Sequence, residues 1–164
     1  MIFLLWLALL STPAVSAERV VVGAYINDIQ FVDLKTHSYA VDLYLWFRWR
    51  DGKRDPSASA EFMNPYELWG HVRTQAYAKP ARLPSGEWYQ VVRNQGRFSR
   101  KLPLHRYPFD RQTLVVELED SSSGTGELSF VADSRPLAIN PELQIPGYSL
   151  GEPNLKVLAA RYPT

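Results

Sequence analysis

Residues 38–50 read SYAVDLYLWFRWR, and the alternation in this stretch decides the fold. Tyr39, Val41, Leu43, Leu45, Phe47 and Trp49 fall on one set of alternate positions. Ala40, Asp42, Tyr44, Trp46, Arg48 and Arg50 fall on the other. A period of two places successive side chains on opposite faces of an extended chain, so the first, wholly apolar set faces a core. Trp49 belongs to that inward set and is read as structural. The second set mixes Tyr44 and Trp46 with Arg48, an aromatic and basic face that needs cover.

Outward from this strand the chain keeps the same character. Residues 20–32, VVVGAYINDIQFV, are rich in β-branched and aromatic residues and read as a strand, closed by the polar turn Asp33–His37. Residues 51–62 read as a loop, and Asn64-Pro65 as the start of one helical turn. A short strand follows at 72–78. A hairpin turns at Pro84-Ser85-Gly86, and its second arm runs on as a long strand with a bend expected at Gly96. Residues 111–120 alternate again, with Leu114, Val116 and Leu118 inward. ELSFVAD (127–133) reads as a strand, 134–153 as a long proline-rich excursion of the kind used for binding, and 154–164 as the start of a last strand. Strands at short spacing with turn signals between them point to an all-β sandwich of the immunoglobulin-like kind.

Composition narrows the function. The chain has 164 residues with 12 Pro and 9 Gly, which suits one domain with many turns. Its net charge of +1 provides no strong field for nucleic acid. It has no cysteine and only three histidines, His37, His71 and His105. Their spacing fits no metal motif, so neither a metal nor a cofactor is expected. The first 17 residues differ from the rest. An apolar run at 2–10 is followed by STPAVSA, with small residues at Val15 and Ala17. That is the pattern of a signal peptide cleaved after Ala17, and the run is too short for a membrane span. Export is expected, with residues 18–164 as the mature domain.

The stretch HRYPFDRQTL (105–114) places a proline between two aromatics and then an acid. With Tyr107-Pro108-Phe109-Asp110 followed by Gln112, with 23–51 ending in Trp49-Arg50-Asp51, and with 85–114 running without a gap, the chain resembles the extracellular domain of pentameric ligand-gated ion channels. The resemblance is to the prokaryotic, cysteine-less branch, and it covers nearly all of 20–164. It implies a homopentamer on the outer or periplasmic face of a bacterial cell membrane, with a small ligand held between subunits. It also implies a further strand and a pore domain of four membrane helices, which would lie beyond Thr164 and are absent from this chain.

The resemblance gives residues roles. Tyr44, Trp46 and Arg48, with Tyr89, Val91 and Arg93, fall where the complementary subunit offers binding loops. Asp120 and Ser121 fall on a binding loop of the principal subunit. Asp33 and Lys35, with Tyr107, Pro108, Phe109 and Asp110, fall on the turns that carry a ligand's effect to a pore. Aromatic faces suit a cation and arginines a carboxylate, so the ligand's charge stays open. The same residues can equally serve as a plain subunit interface. Two other readings remain: a secreted binding protein of the same fold, and a sandwich glycoside hydrolase using Glu117 and Glu119.

Overall fold

A computed structural model describes residues 17–124 and 126–159. The expected leader falls almost entirely in residues 1–16, outside the described residues. The chain is all-β. Among the described residues eight strands run in the order β1 (Glu18–Asp33), β2 (Ser38–Trp49), β3 (Ala60–Phe62), β4 (Val72–Gln75), β5 (Ala81–Arg82), β6 (Trp88–Ser99), β7 (Leu118–Asp120) and β8 (Leu128–Ile139). One sheet has the order β4-β6-β2-β1-β8 with β5 beside β6, and β3 pairs with β7 in a small second sheet. The arrangement is sandwich-like. The inward set of β2 is buried throughout, and Val20, Val22, Ala24, Val92 and Phe98 join it. Phe62, Leu114, Val116 and Leu118 pack against this core from the second layer.

Several elements depart from the sequence reading, each for a local reason. Residues 51–62 are not wholly a loop: a helical turn, α1 (Pro56–Ser59), precedes β3, and the Asp55 carboxylate caps it by accepting from Ser57 N at 3.0 Å. Asn64 caps nothing. Within 64–70 the helical turn is a 3-10 turn at Leu68–Gly70, entered from Glu67. β6 runs past Gly96 in unbroken register with β2. That glycine makes room instead of a bend, since a Cβ there would lie 2.5 Å from the His71 imidazole. Leu114, Val116 and Leu118 face inward as their alternation requires, but only Leu118–Asp120 forms a ladder.

Side chains satisfy Val115 N, Val115 O and Glu117 N, while Glu117 O accepts from the Met63 backbone N at 2.9 Å. The Tyr39 hydroxyl accepts from Val115 N at 2.9 Å and donates to Val115 O. Asn64 Nδ2 donates to Val115 O at 2.7 Å, and Asn64 Oδ1 accepts from Glu117 N at 2.9 Å. A buried amide must find a partner somewhere, and here side chains replace the strand neighbour.

β8 extends well into the segment read as a proline-rich excursion. It lies parallel to β1 at the sheet edge, and its register jumps between Ala132 and Leu137. Pro136 cannot donate to a ladder, so an edge strand with a bulge is where it fits. Residues 154–159 form no strand, although Leu155 packs on the core. The remainder of the expected last strand lies outside the described residues.

Candidate functional site

The outward faces of β2 and β6 bring the expected ligand-facing residues together. Tyr44 stands opposite Arg93, Trp46 opposite Val91, and Arg48 opposite Tyr89. Internal partners then occupy this face. The Arg93 guanidinium holds the Asp42 carboxylate with both ends, Nε to Oδ1 at 2.9 Å and Nη2 to Oδ2 at 2.6 Å. Asn27 Nδ2 adds a bond to Asp42 at 2.9 Å, and Arg93 lies 5.4 Å over the Tyr44 ring. Asp42 is only 3% exposed. A buried carboxylate on an otherwise apolar strand requires such a partner. Arg48 donates to Asp133 at 3.0 Å and lies 3.8 Å from Glu87.

Trp46 reaches the same acid. Its Nε1 donates to Asp133 Oδ2 at 2.8 Å, across β1. Gly23 opens that path, since a Cβ there would lie 2.1 Å from the indole. Asp133 begins the bulged stretch of β8 that turns it onto this face. Sequence reasoning missed Asp42 and Asp133 as partners. The signals were present: an acid within a strongly apolar strand, and an acid three positions before a proline.

The hydrogen bonds from Arg93 hold the Asp42 carboxyl below its ordinary range, with Asn27 helping and burial opposing. A carboxyl with a folded pKa below its unfolded value stabilises the protein above about pH 4, and that stability is lost as pH falls through the folded pKa. Arg93→Gln removes the principal donors, so the Asp42 pKa should rise. Acid unfolding followed by tryptophan fluorescence should then begin at a higher pH than in the wild type.

The two expected coupling turns lie at one end. Asp33 Oδ1 accepts from Lys35 N at 2.9 Å and Thr36 N at 3.3 Å, which closes the β1–β2 turn. The segment leaving β6 is tied to that turn through Arg100 N to His37 O at 3.1 Å and Leu102 N to His37 Nδ1 at 3.3 Å. Beyond it, Asp110 Oδ1 accepts from Arg106 N at 2.6 Å, Phe109 N donates to Arg106 O at 2.7 Å, and Gln112 Nε2 donates to Pro103 O at 2.7 Å. The loop is braced from within, yet Tyr107 is 68% and Phe109 87% exposed. The turn thus presents two aromatic rings to solvent.

Asp120 and Ser121 lie on the second layer. Ser59 Oγ and Ser122 N bond the Asp120 carboxylate, and Ser121 N and Oγ bond Ser59 O. Within one copy, the main sheet separates them from Tyr44, Trp46 and Arg93. Of the acids weighed for glycoside hydrolysis, Glu117 pairs with Arg100 at 3.0 Å, and Glu119 stands opposite Glu61 of β3. Among the described residues no helix is long and apolar enough to cross a membrane.

The fold is an all-β, sandwich-like domain with a braced turn at one end that exposes Tyr107 and Phe109. No family model matches the chain. It is similar to a proton-gated ion channel of Gloeobacter violaceus, 24% identical over 154 residues, covering 84% of this chain and 43% of that protein. The chain thus spans less than half the length of this relative.

Proposed function

We propose that this chain is the exported, ligand-binding extracellular domain of a pentameric ligand-gated channel subunit of the cysteine-less branch. The observation that carries the reading is the braced Tyr107-Pro108-Phe109-Asp110 turn, which exposes both rings at the same end as the Asp33–His37 turn. The similarity to a proton-gated channel over most of the chain supports it. In this reading the tip presses on a pore domain carried by the rest of the gene product, and the domain has no catalytic role.

The ligand site lies between neighbouring copies. One copy offers the β2–β6 face and the next offers Asp120 and Ser121, which a single chain keeps on separate layers. Arg48 and Arg93 each already hold an internal carboxylate, so neither acts as a free anion receptor. Recognition rests on the aromatic surface of Tyr44, Trp46 and Tyr89. A ligand that binds one quaternary arrangement better than another shifts the population toward it, and the tip passes that bias to the pore.

The relative's proton gating makes external pH the first stimulus to apply. Currents recorded from cells expressing the whole gene product should respond to a fall in external pH or to a small ligand. Phe109→Ala should cut the maximal current severalfold without changing the amount of protein at the surface. Gating unchanged by Phe109→Ala would refute the coupling role, and a product that carries no current would leave a secreted binder of the same fold.

A further inference from the structure

We infer that His37 is an acid-sensitive clasp between the β1–β2 turn and the segment that leaves β6. Its uncharged imidazole fastens the two, and uptake of a proton on that ring lets them part.

The β2–β6 ladder ends at the pair Ser38–Ser99. Past that pair His37 carries the contact on. Its carbonyl accepts from Arg100 N at 3.1 Å, and its ring Nδ1 accepts from Leu102 N at 3.3 Å. The residue stands with φ at 54°, in the left-handed region. A residue other than glycine persists there when its surroundings hold it, and these two bonds do so. The Leu102 side chain is 2% exposed, so the segment is anchored where the ring grips it.

A backbone N–H can only donate, so Nδ1 must be the bare nitrogen of the imidazole. A proton placed there sets one donor against another, and the Leu102 amide loses its acceptor. The ring is half-buried, within reach of water. Histidine ordinarily changes charge between about pH 8 and 5. The bond favours the uncharged ring, so the clasp is closed at the upper end of that range and opens as pH falls.

The charged groups of the surrounding elements are committed elsewhere or face solvent. On the turn, Asp33 accepts from Lys35 N and Thr36 N, and the Lys35 side chain is exposed. At the end of β6, Arg97 donates to Ser38 Oγ. On the departing segment Arg100 pairs with Glu117 of the second layer, and Lys101 is exposed. Among the described residues no carboxylate pairs with the imidazole, so no counter-ion holds the charged ring in place.

The clasp lies within one copy, and its opening needs no pore. Only its effect on a current rests on the channel reading. Hydrogen exchange of the whole gene product at about pH 7.5 and about pH 5.5, corrected for the intrinsic chemical rate at each pH, tests it. The amides of Arg100 and Leu102 should exchange about tenfold faster at the lower pH, while those of Val41 and Leu43 stay protected and report an intact sheet. In His37→Asn, Oδ1 stands where Nδ1 stood, asparagine accepts the left-handed backbone, and there is no proton to take up. That variant should keep both amides slow at both pH values. His37→Ala should leave them fast at both, and His105→Gln, on an exposed ring, should keep the wild-type step. No step in the wild type, the same step in His37→Asn, or slow exchange in His37→Ala would each overturn the inference. A product that carries no current but shows the step contradicts the channel reading alone.

Discussion

Trp49→Ala should lower the unfolding free energy by about 3–5 kcal/mol, the usual cost of deleting a large buried ring. Trp49 is 2% exposed and ends the inward row of β2, beside Trp88 of β6. Its Nε1 donates to Arg54 O at 2.9 Å, so the ring also anchors the loop that leads into α1. Alanine removes the packing and leaves that carbonyl without its donor. Trp49→Phe keeps an aromatic ring and should recover most of the loss. Urea unfolding followed by circular dichroism should show a lower midpoint for Trp49→Ala with the slope little changed. An unchanged midpoint would mean that this end of the sheet is not part of the cooperative core.

Releasing residues 115–117 should cost less overall but disturb the neighbourhood of the tip more. Tyr39→Phe takes away the acceptor of Val115 N, and Asn64→Ala takes away the acceptor of Glu117 N. The part-buried Val115 amide, once orphaned, should cost about 1–3 kcal/mol, and the exposed Glu117 amide less, since water can replace its acceptor. Both side chains act on the same few residues, so the double variant should lose a different amount from the sum of the singles. This stretch joins the exposed turn at 107–110 to β7, where Asp120 lies. Hydrogen exchange should therefore speed up at Val115 and Glu117 in both variants, while the amides of Val41 and Leu43 in β2 stay protected. If exchange is unaffected, the clamp does not hold the segment.

The main sheet was legible because its strands carry strong period-two signals. β2 keeps an unbroken apolar row from Tyr39 to Trp49, and it lies in the middle of the sheet as that row demands. β1 and the hairpin at Pro84-Ser85-Gly86 were legible for the same kind of reason. The segments at 111–117 and 133–139 were not. Residues 111–117 have a strand's alternation, but Val115 and the Glu117 amide find their hydrogen bonds on Tyr39 and Asn64, and local pattern cannot reveal a partner 76 positions away. In β8, Asp133 and Pro136 read as a strand end, but at an edge a bulge absorbs both. The outward face was half legible. Its aromatic and basic residues stood out by position, whereas the acids that neutralise its arginines come from another strand and from within β2 itself. The exposure of Tyr107 and Phe109 was not visible in the sequence either, because a tight turn can as easily bury its rings as present them.

The most direct test of the central proposal is the mass of the native particle formed by the whole gene product after mild detergent extraction from membranes. The proposal requires a membrane-bound assembly of five copies, because the binding face and Asp120 meet only across neighbouring copies and the exposed turn needs a pore domain to press on. A soluble monomer or dimer recovered outside the membrane fraction would contradict it.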